Sequence, residues 1–212
     1  VHGNFMLVQQ TTRKLHNLRL PRVLLKLDIA RAFDSLSWPF LIDVLRHLGF
    51  GRRWIEWITI LLSTASTRIL INGSPGPPIA PACGLRQGDP ISPMLFTMAI
   101  DVLNSLLLHA HQRGLLQRLT ARHAASSISL FAADVVIFCH PSSHDLQVIR
   151  ELLRVFGVAS GLHTNFAKCS ATPIRCGESE LACINTELPR LPYHLLGHPI
   201  VGSETLGILL AT

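Results

Sequence analysis

Two aspartates sit where an apolar chain can least tolerate them. Asp28 closes the run Leu24-Leu25-Lys26-Leu27, and Asp134 interrupts Leu130-Phe131-Ala132-Ala133-Asp134-Val135-Val136-Ile137-Phe138. Both runs have the length and apolar content of strands inside a sheet. An ionised carboxylate buried there without a partner is prohibitively costly, so each must be metal-bound, paired or protonated. If the fold brings the two together, their mutual repulsion demands a cation, and divalent ions held by carboxylates are the usual device of phosphoryl and nucleotidyl transfer. The alternative is local: Asp28 caps the turn that follows it, and Asp134 occupies a hairpin tip in water.

The remaining pattern frames these two positions. With 212 residues, 48% of them apolar, and a mean hydropathy of +0.36, the chain can fill a core as one large domain or two small ones. A helix is expected over residues 2–17, then a strand over 23–28, apolar apart from Lys26 and hence buried on both faces. Ser37 caps a helix with Pro39 in its first turn, closed by Gly49, and a second helix over residues 52–62 turns Trp54, Ile58 and Leu61 inward. A strand over 67–71 runs into Asn72-Gly73, a strong hairpin signal, and a Pro-rich loop follows. Asp89-Pro90 opens the longest helix, with Leu95, Met98, Ala99, Val102 and Leu106 on its core face. Residues 127–138 read as a strand pair, 146–156 as a helix, and 173–200 as short strands and turns. This order predicts an α+β fold with helices on one face of an antiparallel sheet.

Charge points weakly to nucleic acid. Lys and Arg outnumber Asp and Glu by 19 to 13, a formal +6, and only three of the cations are lysine: Lys14, Lys26 and Lys168. Planar guanidinium forks suit phosphates. No uninterrupted apolar window of membrane-spanning length is found, nor a basic stretch followed by an apolar one at the start, so a soluble intracellular protein without a targeting signal is expected. Five cysteines without a C-x-x-C pair predict free thiols rather than disulfides or a zinc site. Both ends read as cut from something longer. Between Gly84 and Pro93, two glycines, Arg86 and Gln87 precede a helix start, offering mobile backbone, bidentate donors and a positive dipole end to a nucleotide or template strand.

Five motifs in order carry a family resemblance. Residues 25–34 followed by Ser37-Trp38 resemble motif A of reverse transcriptases, and residues 84–96 resemble motif B of the non-LTR (LINE-type) retrotransposon branch, in the form found in plant genomes. Residues 128–136 resemble motif C, residues 161–168 motif D, and residues 192–199 the motif E region. The resemblance implies a right-hand polymerase palm with partial fingers over residues 1–212, lacking the first finger strands and the thumb. It implies RNA-templated DNA synthesis with an RNA template, a DNA primer and deoxynucleoside triphosphates, no membrane, and a nuclear location. Two Mg²⁺ ions are implied, with Asp28 and Asp134 catalytic and Asp28, Ile29 and Asp134 at the metals. Phe33 matches the steric gate against a ribose 2′-hydroxyl, Arg86, Gln87 and Gly88 match the loop touching nucleotide and template, and Lys168 stands in motif D. The chain departs from the family at Ala133, where the first of two motif C aspartates is expected, and an impaired or silent polymerase follows. The alternatives are a nucleic-acid-binding remnant or a decayed copy without function.

Overall fold

In the computed structural model, which describes residues 2–119, 128–131 and 134–189, the elements in chain order are α1 (His2–Asn17), β1 (Arg22–Asp28), α2 (Ala32–Ser35), α3 (Trp38–His47), α4 (Arg52–Ser63), β2 (Leu70–Ile71), β3 (Ser74–Pro75), α5 (Ser92–Gln112), β4 (Ile128–Phe131), β5 (Asp134–Cys139), α6 (Ser143–Ser160), β6 (Ser170–Ile174) and α7 (Glu178–Glu187). They divide into two compact units: Val1–Ile29, Leu103–Arg154 and Thr164–Thr212 in the first, Ala30–Val102 and Val155–His163 in the second.

The first unit is built on an antiparallel sheet of order β4-β5-β1-β6. Val8 and Leu15 of α1 pack with Leu24 of β1, Val136 and Phe138 of β5, Ile174 of β6 and Leu119. The alternate residues Val23, Leu25, Leu27, Val135 and Ile137 are buried as well. Strand β1 is therefore covered on both faces, as its near-continuous apolar run requires, and each such side chain contributes about 1.5–3 kcal/mol on leaving water. At the opposite end of β1 from Asp28, the buried Arg22 guanidinium donates to the carbonyls of Pro21 and Leu119, both at 2.6 Å. Burial lowers its pKa against the pull of nearby Asp145.

The second unit shows the expected local chemistry. Ser37 caps α3 by accepting from the Phe40 amide, with proline in the first turn. Asn72 and Gly73 both take positive φ, 49° and 82°, as a type I′ hairpin between β2 and β3 requires. Phe50 stacks on Trp54 with ring centroids 4.4 Å apart.

Four expectations are corrected. Helix α5 starts at Ser92 rather than at Asp89-Pro90, because the Asp89 carboxylate accepts from the Ile91 amide at 3.1 Å and spends itself on a turn. Its buried face runs through Leu95, Phe96, Ala99, Ile100, Leu103 and Leu107, rotated from the expected stripe. Helix α4 buries Ile55, Ile58 and Leu62 while Leu61 is exposed. Residues 178–187, expected as strands and turns, form α7, started where the Glu180 carboxylate accepts from the Gly177 amide at 2.8 Å. Helix α5 is also long and apolar enough by length and composition to cross a membrane, although Asp101 and Asn104 interrupt its apolar run.

All five cysteines are free thiols. Burial pushes Cys169 and Cys176 up to about 11 and raises Cys139 further, whereas Cys83 is exposed. Since the thiolate is the nucleophile, a maleimide at pH 8 is expected to label Cys83 first and leave Cys139 and Cys169 unmodified in the folded chain. Peptide mass spectrometry over a time course reads this directly, and equal labelling of Cys83 and Cys169 would contradict the burial.

Candidate functional site

Asp28 ends β1 half-buried, and its surroundings are set by the two strands that flank it. On one side β5 pairs with β1 from Val23↔Cys139 to Asp28↔Asp134. On the other, β6 pairs only from Arg22↔Ile174 to Lys26↔Ser170. Beyond that point the chain ahead of β6 takes over: Ile29 bridges Thr164, the Asn165 amide donates to the Asp28 carbonyl at 2.8 Å, and the Asp28 amide donates to the Cys169 sulfur at 3.3 Å. The Cys169 thiol in turn donates to the Asn165 carbonyl at 3.1 Å.

Successive residues of an antiparallel strand direct their main-chain groups to alternate sides. Both polar groups of Asp28 point toward residues 165–169, so its pairing with Asp134 is of the non-hydrogen-bonded kind, in which Cα atoms lie about 4.5 Å apart. Two carboxylate-bearing residues thus stand directly opposite, an arrangement unfavourable without a counter-charge. Ile29 is buried, and Lys168 is exposed with its amide on the Asn165 carbonyl at 3.0 Å. Ala133 and the motif E segment at 192–199 lie outside the described residues. Among the described residues no group of three or more His, Cys, Asp or Glu side chains is placed to hold a metal ion. By residue type alone, the opposed pair is a donor set for one divalent ion rather than two, since the position between Ala132 and Asp134 is alanine.

The second unit gathers the other predicted residues. Phe33 stacks on Phe96 with centroids 4.8 Å apart and planes at 19°. Its carbonyl accepts from the Leu85 amide at 2.6 Å, and the Gly84 amide reaches the Leu36 carbonyl at 2.8 Å. Trp38 clamps the same loop, its indole N–H donating to the Gly84 carbonyl at 2.7 Å. Arg86 and Gln87 are exposed beyond this clamp, Gln87 reaching the Asp34 carboxylate at 3.4 Å, and Gly88 takes φ +88°. A cavity of about 670 Å³ opens here, with Trp38, Leu62 and Leu95 among its apolar walls and Asp34, Arg86 and Gln87 among its polar ones. Sequence reasoning does not reach the contacts of Trp38, Asp34 or Cys169. The first two stand in the quoted motif, but their partners lie in loops whose course no local pattern encodes.

Residues 3–200 match the family model described as reverse transcriptase (RNA-dependent DNA polymerase). The chain is 29% identical over 182 residues to the Retrovirus-related Pol polyprotein from type-2 retrotransposable element R2DM of Drosophila melanogaster, covering 85% of this chain and 16% of that protein. It is 29% identical over 171 residues to the Transposon TX1 uncharacterized 149 kDa protein of Xenopus laevis, covering 80% of this chain and 13% of that protein. The chain therefore spans about a sixth or less of the length of these curated relatives. Among solved structures, apo telomerase from Candida Tropicalis truncated from its C-terminal domain superposes with a TM-score of 0.58 at 13% identity, over 84% of this chain and 36% of that one, which shows a common fold.

Proposed function

The chain belongs to the reverse transcriptase (RNA-dependent DNA polymerase) family, in its non-LTR retrotransposon branch, and from that premise we propose that it is a template-directed DNA polymerase domain whose catalytic step is disabled at Ala133. The observation that carries this reading is the register Asp28↔Asp134, which sets two carboxylate residues together while the neighbouring motif C position is alanine.

In this reading Asp28 and Asp134 hold the divalent ion. A bound ion of that kind lowers the pKa of a primer 3′-hydroxyl and neutralises charge on the triphosphate. Phe33, held flat against Phe96, forms the wall that excludes a ribose 2′-hydroxyl. Arg86 and Gln87 present donors beyond the Trp38 clamp, and Gly88 keeps backbone open to the template and the incoming nucleotide. The partners are an RNA template, a DNA primer and deoxynucleoside triphosphates.

Extension by an Ala133→Asp variant separates this reading from that of a silent nucleic-acid-binding remnant, which Ala133 also favours: restored synthesis supports the first, and binding without it the second. Fluorescence anisotropy with an RNA–DNA hybrid is expected to show binding that weakens steeply as salt rises, with Arg86→Ala weakening it several-fold. Primer extension with Mg²⁺ or Mn²⁺ is expected to stay near background. No binding at low salt sinks the nucleic-acid reading, and robust extension by the unaltered chain sinks the claim that Ala133 disables it.

A further inference from the structure

We infer that Cys169 is a positioning residue for Asp28, its thiol standing in for a missing backbone acceptor and fixing the strand end that carries the metal-binding carboxylate. This rests on the reading of Asp28 given above.

The need for such a residue follows from the register. Strand β6 follows β1 as far as Lys26↔Ser170. Continued, the same register would set Lys168 opposite Asp28 and give the Asp28 amide a carbonyl to bond. Instead the next contact is Ile29↔Thr164, so the register slips and residues 165–169 loop outward. Within that loop the Lys168 and Cys169 amides both turn back to the Asn165 carbonyl, at 3.0 and 3.2 Å. The chain thereby makes a tight turn instead of a ladder rung, and no carbonyl faces the Asp28 amide.

The sulfur of Cys169 fills the gap. It accepts from the Asp28 amide at 3.3 Å and donates to the Asn165 carbonyl at 3.1 Å, while the Asn165 amide holds the Asp28 carbonyl at 2.8 Å. Both main-chain groups of Asp28 are thus tied to one turn, and the thiol cross-links that turn internally. The Cys169 side chain is fully buried, so no water replaces it. A protonated thiol suits the role because it can both donate and accept. Asp28 is paired with Asp134 of β5 on its other side, so the turn at 165–169 is what holds the β6-facing side of this strand end.

Amide exchange tests this without any need for catalysis. In Cys169→Ala the Asp28 amide loses its acceptor, and its hydrogen exchange, read by NMR or peptide mass spectrometry, is expected to quicken about tenfold or more. Cys169→Ser keeps a donor and an acceptor at the same place and is expected to restore most of the protection. Mn²⁺ affinity, followed by electron paramagnetic resonance, is expected to weaken several-fold in Cys169→Ala and recover in Cys169→Ser, in the range that supporting contacts of metal ligands command. Unchanged Asp28 exchange in Cys169→Ala overturns the inference, as does loss of protection in Cys169→Ser as complete as in Cys169→Ala. Asp28→Asn separates the two levels. If it leaves Mn²⁺ affinity intact, the metal reading of Asp28 fails, while the exchange result alone still decides whether the thiol holds the strand.

Discussion

Ala133→Asp is expected to raise primer extension on an RNA template by about 10²- to 10³-fold in Mg²⁺ or Mn²⁺, the span lost when a single preorganised transition-state contact is removed. The reasoning starts from charge. Asp28 and Asp134 together bring two negative charges, enough to hold one dication closely but far short of balancing a pair of them. Neither aspartate can be moved to compensate, because a one-residue slip of β5 against β1 would exchange Val135 and Ile137 with Val136 and Phe138 and force both buried faces of the sheet to repack. A carboxylate at position 133 adds the missing negative charge. A Mn²⁺ titration supplies a second readout that does not depend on turnover: one ion bound by the unaltered chain, two by Ala133→Asp. Equal extension by both chains, with the same stoichiometry, would remove Ala133 from the explanation.

The largest expected loss of stability comes from Gly161→Ala, about 2–5 kcal/mol. Gly161 takes φ +78°, and a Cβ there would fall inside contact distance of the Ser35 carbonyl oxygen. Adopting the left-handed conformation with a side chain costs about 1–2 kcal/mol, and forcing a methyl group into a filled space costs about 1–3 kcal/mol more. The carbonyl cannot retreat easily, since the Ser37 amide is bonded to the Ser160 carbonyl at 2.8 Å just beside it. Gly49→Ala is the control: it shares the positive φ, +82°, but has nothing within 4 Å of its added Cβ. Urea unfolding of the two variants should therefore separate the cost of the clash from that of the backbone. Equal shifts would mean that Ser35 yields freely. Gly84 makes a corresponding approach to the neighbouring residue of α2, its added Cβ meeting the Asp34 carbonyl oxygen at 2.6 Å. The segment carrying Phe33 thus meets two glycine-bearing loops at close range.

What the sequence made legible were elements whose causes are local. The apolar run of β1, the Ser37 cap and the Asn72-Gly73 turn each depend on a few adjacent residues, and each was read correctly. The pairing of the Asp28 strand with the Asp134 strand was legible through the family motifs and not through propensity, because strand order is a long-range property. Helix α7 was hidden because it carries no clean apolar stripe; of its residues only Ile184 is buried. The α4 face was misread by one position, since Trp54 and Leu61 compete with Ile55 and Leu62 for the interior and only packing decides between them. Cys169 could not have been found from its spacing. Its role depends on a register slip three residues deep, which exists only once β6 has paired with β1.

The same alternation that turns the main chain of Asp28 toward residues 165–169 fixes the orientation of Pro173, five positions back along β1 at Val23↔Pro173. The even-numbered residues of β1 bond toward β6, so this odd pair is not hydrogen-bonded, and the ring nitrogen of Pro173 faces away from β1. Its missing N–H costs the ladder nothing. It leaves the row of donors along the outer side of β6 one short, and that side lies in a strand whose every residue is buried, where an unpaired N–H would be costly. One proline thus spares the sheet a buried donor while leaving its interior pairing whole.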